Sequence, residues 1–123
     1  MFIDKMEEKT KEDRNFFYDD FSDRLFVSCK TKNDKVAGSV RILNIILDFT
    51  ADMKIVNVEL TRASEYLSSL KINPEILSNL ENAELFVQKY NNGYLIYFIL
   101  QSKGVIERIP FNIPVKRKML VMS

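Results

Sequence analysis

The chain contains no histidine, and its single cysteine is Cys29. Without His it lacks the usual general base, the usual zinc ligand and any Ser–His or Cys–His nucleophile pair. One Cys excludes an intramolecular disulfide and fits a reducing compartment. Gly and Pro each occur three times, so breaks between elements must come mostly from Asn, Asp, Ser and Lys clusters. No long hydrophobic run is present: the longest, Tyr94 to Leu100, is far short of the ~20 residues of a membrane helix. Charge of one sign is missing too, with 18 basic against 17 acidic residues and a net charge of +1. That balance gives no global pull toward nucleic acid or an anionic membrane. The opening segment alternates acids and bases and has no signal-peptide core. The expectation is a cytoplasmic protein with no membrane partner.

What is present suits one globular domain. The chain has 123 residues, 46% hydrophobic and 28% charged, ordinary values for a unit that buries a core. Apart from Met1, residues 1–14 hold only Phe2, Ile3 and Met6 as apolar side chains and read as a mobile N-terminal arm. Residues 15–114 read as a single α+β domain. Residues 115–123 form a tail in which Lys116-Arg117-Lys118 precedes the apolar Met119 to Met122.

Periodicity then sets the elements. Phe16-Phe17-Tyr18 is a short aromatic strand, and Asp19 to Asp23 is a turn before Arg24 to Cys29, in which Leu25, Val27 and Cys29 alternate. Lys30 to Ala37 is a polar connector. Ser39 to Phe49 reads as one long strand that is apolar on both faces, and Lys54 to Leu60 as the next. From Thr61 the period lengthens, with Ala63, Tyr66, Leu67 and Leu70 on one helical face and Thr61 as the N-cap. Asn73-Pro74-Glu75 starts a second short helix, carrying cap, first-turn proline and acid in order.

Ala83 to Tyr90 alternates again. Asn92-Gly93 predicts a tight hairpin because both residues tolerate positive φ. Tyr94 to Gln101 is a second strand apolar on both faces, and Val105 to Ile109 the last. Pro110 and Pro114 are expected to stop the ladder. The fold class is therefore α+β: a mostly antiparallel sheet of about seven strands, in ββββ-αα-βββ order, with two short helices on one face.

Tyr18-Asp19-x-x-x-Asp23-x-Leu25-x-Val27, Ile46-Leu47-Asp48-Phe49, Ile55-Val56-x-Val58-Glu59-Leu60 and Ala63-Ser64-x-x-Leu67 together resemble the domain-of-unknown-function family 2283. The resemblance covers Tyr18 to Leu67, and the rest looks like the extension of longer archaeal-type members. It implies a short prokaryotic protein without an assigned catalytic group, in some cases an antitoxin-like partner of a small toxin. Two family glycines are replaced here, by Met53 and Asn57. The turn is then expected to avoid positive φ, or to place it on Asp52 or Asn57.

Several polar groups remain to be weighed. Asp19, Asp20 and Asp23 are candidate metal ligands, since hard cations take clustered oxygens; the alternative is a turn whose Asp side chains bond their own backbone. Asp48 and Glu59 can face each other near strand ends, with Arg62 or Arg41 as a partner for Glu59, or Glu59 can meet the first amides of the helix. Lys30, Lys32, Lys35 and Arg41, with Lys116, Arg117 and Lys118, are candidate nucleic-acid contacts, with Phe26, Tyr90, Tyr94 and Tyr97 available for stacking. Cys29 reads as a buried, inert thiol.

No cofactor is implied and no residue is assigned as catalytic. Three function classes stay open, in this order: a non-enzymatic protein-interaction module, a nucleic-acid-binding protein, and a carboxylate-based metal-dependent hydrolase. A homodimer fits all three, because strands apolar on both faces need more cover than two short helices supply.

Overall fold

Alternating apolar residues build two antiparallel sheets, described over residues 15–114 of a computed structural model. The arm 1–14 and the tail 115–123, with its Lys116, Arg117, Lys118 and Met119–Met122, lie outside the described residues. The strands are β1 Phe16–Asp19, β2 Arg24–Ser28, β3 Gly38–Ile42, β4 Ile45–Phe49 and β5 Ile55–Thr61, then β6 Asn82–Tyr90, β7 Gly93–Ser102 and β8 Val105–Pro114. Between the two sets lie the α-helix α1, Ala63–Ser69, and a 3-10 helix, Pro74–Asn79. The first sheet has the order β1-β2-β5-β4-β3 and the second β6-β7-β8.

The α+β class and the antiparallel pairing agree with the sequence reading, while the single sheet of about seven strands becomes eight strands in two sheets. Inward faces of both sheets share one core. Leu25 and Val27 of β2, Val58 and Leu60 of β5, Ile96, Phe98 and Leu100 of β7, and Ile109 and Ile113 of β8 are all fully buried in it. Leu67 of α1 and Leu77 of the 3-10 helix belong to the same cluster. At one corner Asn15 ties the sheets together, its Nδ2 donating to the carbonyls of Ser28 at 3.4 Å and Ala83 at 2.8 Å.

Ser39 to Phe49 is a hairpin, not one long strand. Ile42 pairs with Ile45, and Leu43 at the tip takes φ 56° with its side chain 81% exposed. Apolar residues on both sides of the turn continue the alternation, which hides the reversal. Met53 itself takes φ 69°, while Asp52 and Asn57 do not take positive φ, so the turn neither avoids the left-handed region nor places it on those two residues.

Thr61 ends β5 and its hydroxyl donates to the Asn44 carbonyl, 3.0 Å away. It does not cap the helix. Arg62 turns the chain through φ 51° into α1, and the cap arrives from Asp23, as described below. The second helical segment begins as expected, with the Asn73 side chain accepting from the Glu75 amide at 3.0 Å, but closes into a 3-10 helix.

The prolines do not end the ladder. β8 continues to Pro114, with Pro110 opposite Tyr97 and Pro114 opposite Gly93. It is an edge strand, where a residue without an N–H can sit on the unpaired side. Gly93 pairs with Tyr90, so the hairpin turn is Asn91-Asn92, and neither Asn takes positive φ. The demand for glycine is steric: a Cβ at position 93 would stand 2.3 Å from the Ile113 carbonyl oxygen.

Candidate interaction surface

The three turn aspartates serve the fold and point to different partners. Asp19 accepts from the Phe21 amide at 3.0 Å and the Ser22 hydroxyl at 2.8 Å, and the Ser22 hydroxyl, followed by the Phe21 amide, holds its carboxyl below the usual range. Asp20 is exposed. Asp23 accepts from the Tyr18 hydroxyl at 2.6 Å, the Ser64 amide at 2.9 Å and the Ser64 hydroxyl at 2.7 Å, while its backbone carbonyl takes the Ala63 amide at 3.0 Å. Burial raises its carboxyl pKa, but the donations from Tyr18 and Ser64 outweigh that and hold it below the usual value. The Tyr18 hydroxyl is pushed well up, by burial and then by Asp23. Among the described residues no three Asp, Glu, Cys or His side chains converge as metal ligands.

Asp48 and Glu59 share the outer face of the five-stranded sheet without facing each other. Asp48 lies opposite Asn57 and Glu59 opposite Ile46. Asp48 accepts from the Ser39 hydroxyl at 2.5 Å and from Asn57 Nδ2 at 3.0 Å; the buried Asn57 Oδ1 has no partner among the described residues. Glu59 pairs with Arg24 at 2.8 Å, so neither Arg62, Arg41 nor the helix amides serve it.

Lys30, Lys32 and Lys35 are exposed on the connector after β2, and Arg41 stands on β3, its Nε donating to the Leu43 carbonyl at 3.4 Å. Asp34 lies among these lysines, accepting from the Thr31 amide and hydroxyl and pairing with Lys54 at 3.2 Å. Of the four candidate aromatic side chains, Tyr90 and Tyr97 share a face, the outer one of β6-β7-β8, and the other two do not join them. Tyr94 is buried with its hydroxyl toward the Met53 carbonyl, Tyr97 faces outward, and Phe26 belongs to the other sheet. Cys29 borders an open cavity of about 360 Å³ with Lys54, Val87 and Tyr94. Burial pushes its thiol up, and Sγ lies 3.5 Å from the Ile55 carbonyl. The raised pKa lowers its thiolate fraction, but Cys29 is half-buried rather than buried as the alternation implies.

The outer face of β6-β7-β8 carries exposed apolar side chains. Register across the strands gives five rows: Tyr90–Gly93–Pro114, Gln88–Leu95–Asn112, Phe86–Tyr97–Pro110, Glu84–Ile99–Arg108 and Asn82–Gln101–Ile106. Phe86 is 66% exposed and Ile106 64%, while Leu95, Tyr97 and Ile99 along the middle strand are partly exposed. The Arg108 guanidinium lies 5.4 Å from the centre of the Tyr97 ring. Neither it nor Glu84 makes an ion pair among the described residues. Sequence reading found Tyr94–Gln101 apolar on both faces but missed Phe86, Glu84, Arg108 and Pro110. The one signal for Phe86 is a bulky ring at the outward position between Leu85 and Val87.

Comparison of the chain with protein-family models, with curated proteins and with solved structures finds no match. The resemblance over Tyr18–Leu67 therefore rests on its residue pattern. No helix among the described residues is long and apolar enough to cross a membrane.

Proposed function

We infer that the chain is a non-enzymatic protein-interaction module that docks through the outer face of β6-β7-β8. The observation that carries this reading is the continuous apolar array of Phe86, Leu95, Tyr97, Ile99 and Ile106, edged by polar side chains. Contiguous exposed apolar surface with a polar rim marks binding sites. The missing histidine and the engaged carboxylates Asp19, Asp23, Asp48 and Glu59 give the reading further support over a hydrolase. The antitoxin-like partnership implied by the family resemblance is one setting in which such a module works.

Site-specific photo-cross-linking tests it. Benzoylphenylalanine in place of Phe86, compared with the same group in place of exposed Glu65 on α1, should give a defined protein adduct only at position 86. Equal adducts at both positions, or none at 86, contradict the reading.

A further inference from the structure

We propose that the occupant of this face is a second copy of the same chain, packed sheet against sheet about a two-fold axis that runs along β7. The inference rests on the reading of this face as a docking surface and adds its partner. Facing sheets pack ~10 Å apart with strand directions within ~30° of each other. A two-fold axis along β7 leaves each row at its own height and lays β6 over the partner's β8.

The rows are self-complementary under that operation. Ile99 meets the partner's Ile99, and Leu95 the partner's Leu95. Phe86 meets the partner's Pro110, and Gln88 the partner's Asn112. Glu84, which accepts only from Asn82 Nδ2 at 3.5 Å among the described residues, meets the partner's Arg108, and Arg108 the partner's Glu84, so one symmetry operation forms two ion pairs from side chains with none among the described residues. Within one chain these two stand on strands flanking β7, roughly 10 Å apart. Across a sheet-to-sheet gap of ~10 Å, extended Glu and Arg side chains reach each other from opposite sides. The contact of Arg108 with Tyr97 already holds its guanidinium over the face. A two-fold axis lying across the strands superposes β6 on β6, and no setting of it brings Glu84 to Arg108.

The size of the face sets the strength. Three strands of nine or ten residues cover a flat footprint of roughly 500 Å² at ~3.3 Å per residue and ~4.8 Å per strand. Side-chain relief adds to that, but the total stays near or below the ~800 Å² per partner of a standard interface. A reversible dimer in the micromolar range follows, with the paired charges fixing its register.

Sedimentation equilibrium of the full chain across roughly 1–200 µM tests this, with E84R, R108E and the double variant alongside and circular dichroism confirming that each is folded. The wild type is expected to pass from monomer to dimer. Each single reversal should raise the midpoint concentration roughly tenfold or more, and the double reversal should bring it back to within about threefold of wild type. A wild type that stays monomeric overturns the proposal. So does a dimer indifferent to the single reversals, or a double variant no better than the singles. A monomer that still cross-links another protein at position 86 removes the second copy and leaves the docking face standing; a monomer with no adduct at 86 removes both.

Discussion

Replacing Asp23 with Ala removes the acceptor for the Tyr18 hydroxyl and the cap of the Ser64 amide in one step, and leaves Ala at φ 58°. A lost cap costs ~1 kcal/mol and a lost charge-assisted hydrogen bond ~1.5 kcal/mol or more, with further strain from the left-handed backbone. Asp23→Ala should therefore lose about 3 kcal/mol in urea unfolding, and Asp23→Asn, which tolerates that φ and keeps one oxygen, about 1 kcal/mol. The pH dependence has a definite sign. The folded pKa of Asp23 lies below its ordinary value of 3.8, so its contribution is complete above the unfolded value and is lost as pH falls through the folded one. Wild-type stability should drop below about pH 4 more steeply than that of Asp23→Asn. Equal slopes would show that the carboxylate is not the titrating group. Leu43 gives the opposite kind of change: it is exposed at a left-handed position, so Leu43→Gly should raise stability by about 0.5–1 kcal/mol.

Among the elements, β7 carries both the core and the outer face, and its close approach to β8 depends on Gly93. A Cβ there, 2.3 Å from the Ile113 carbonyl oxygen, must push the strands apart. Gly93→Ala is expected to cost about 2 kcal/mol or more and to speed amide exchange at the paired ends of β7 and β8. Unchanged exchange there would contradict that packing. Features fixed by neighbours in sequence were legible without a structure: the alternation in β2, β5 and β7, the helical spacing of Ala63, Tyr66 and Leu67, and the Asn73-Pro74-Glu75 start. Features fixed by distant residues were not. The reversal at Leu43-Asn44 lacks glycine and proline, so nothing interrupts the apolar pattern. The cap of α1 comes from Asp23, forty-one residues before Ser64, and Thr61 takes the local signal elsewhere. Pro110 and Pro114 read as breakers because edge position depends on strand order, which no local pattern encodes.

At the scale of the whole molecule, the two sheets spend their inner faces on one core, and their outer faces differ. The five-stranded sheet carries an interlocked polar row, Ser39–Asp48–Asn57, and the Arg24–Glu59 pair set between Phe17, Phe26 and Ile46. The three-stranded sheet carries Phe86, Tyr97, Ile99 and Ile106 with Glu84 and Arg108, which form no ion pair among the described residues. The candidate site was half legible: β7 read from sequence as apolar on both faces and in need of cover, while the charges that give the face its symmetry appear only once β6 and β8 are in register. The measurement that tests this account most directly is methyl NMR of the labelled chain over a concentration series. The account predicts that shifts grow with concentration at Leu95, Ile99 and Ile106, while the core-facing Leu25, Val58 and Leu67 stay fixed. Concentration-dependent shifts on β3 or α1 instead, or none at Ile99, would contradict it.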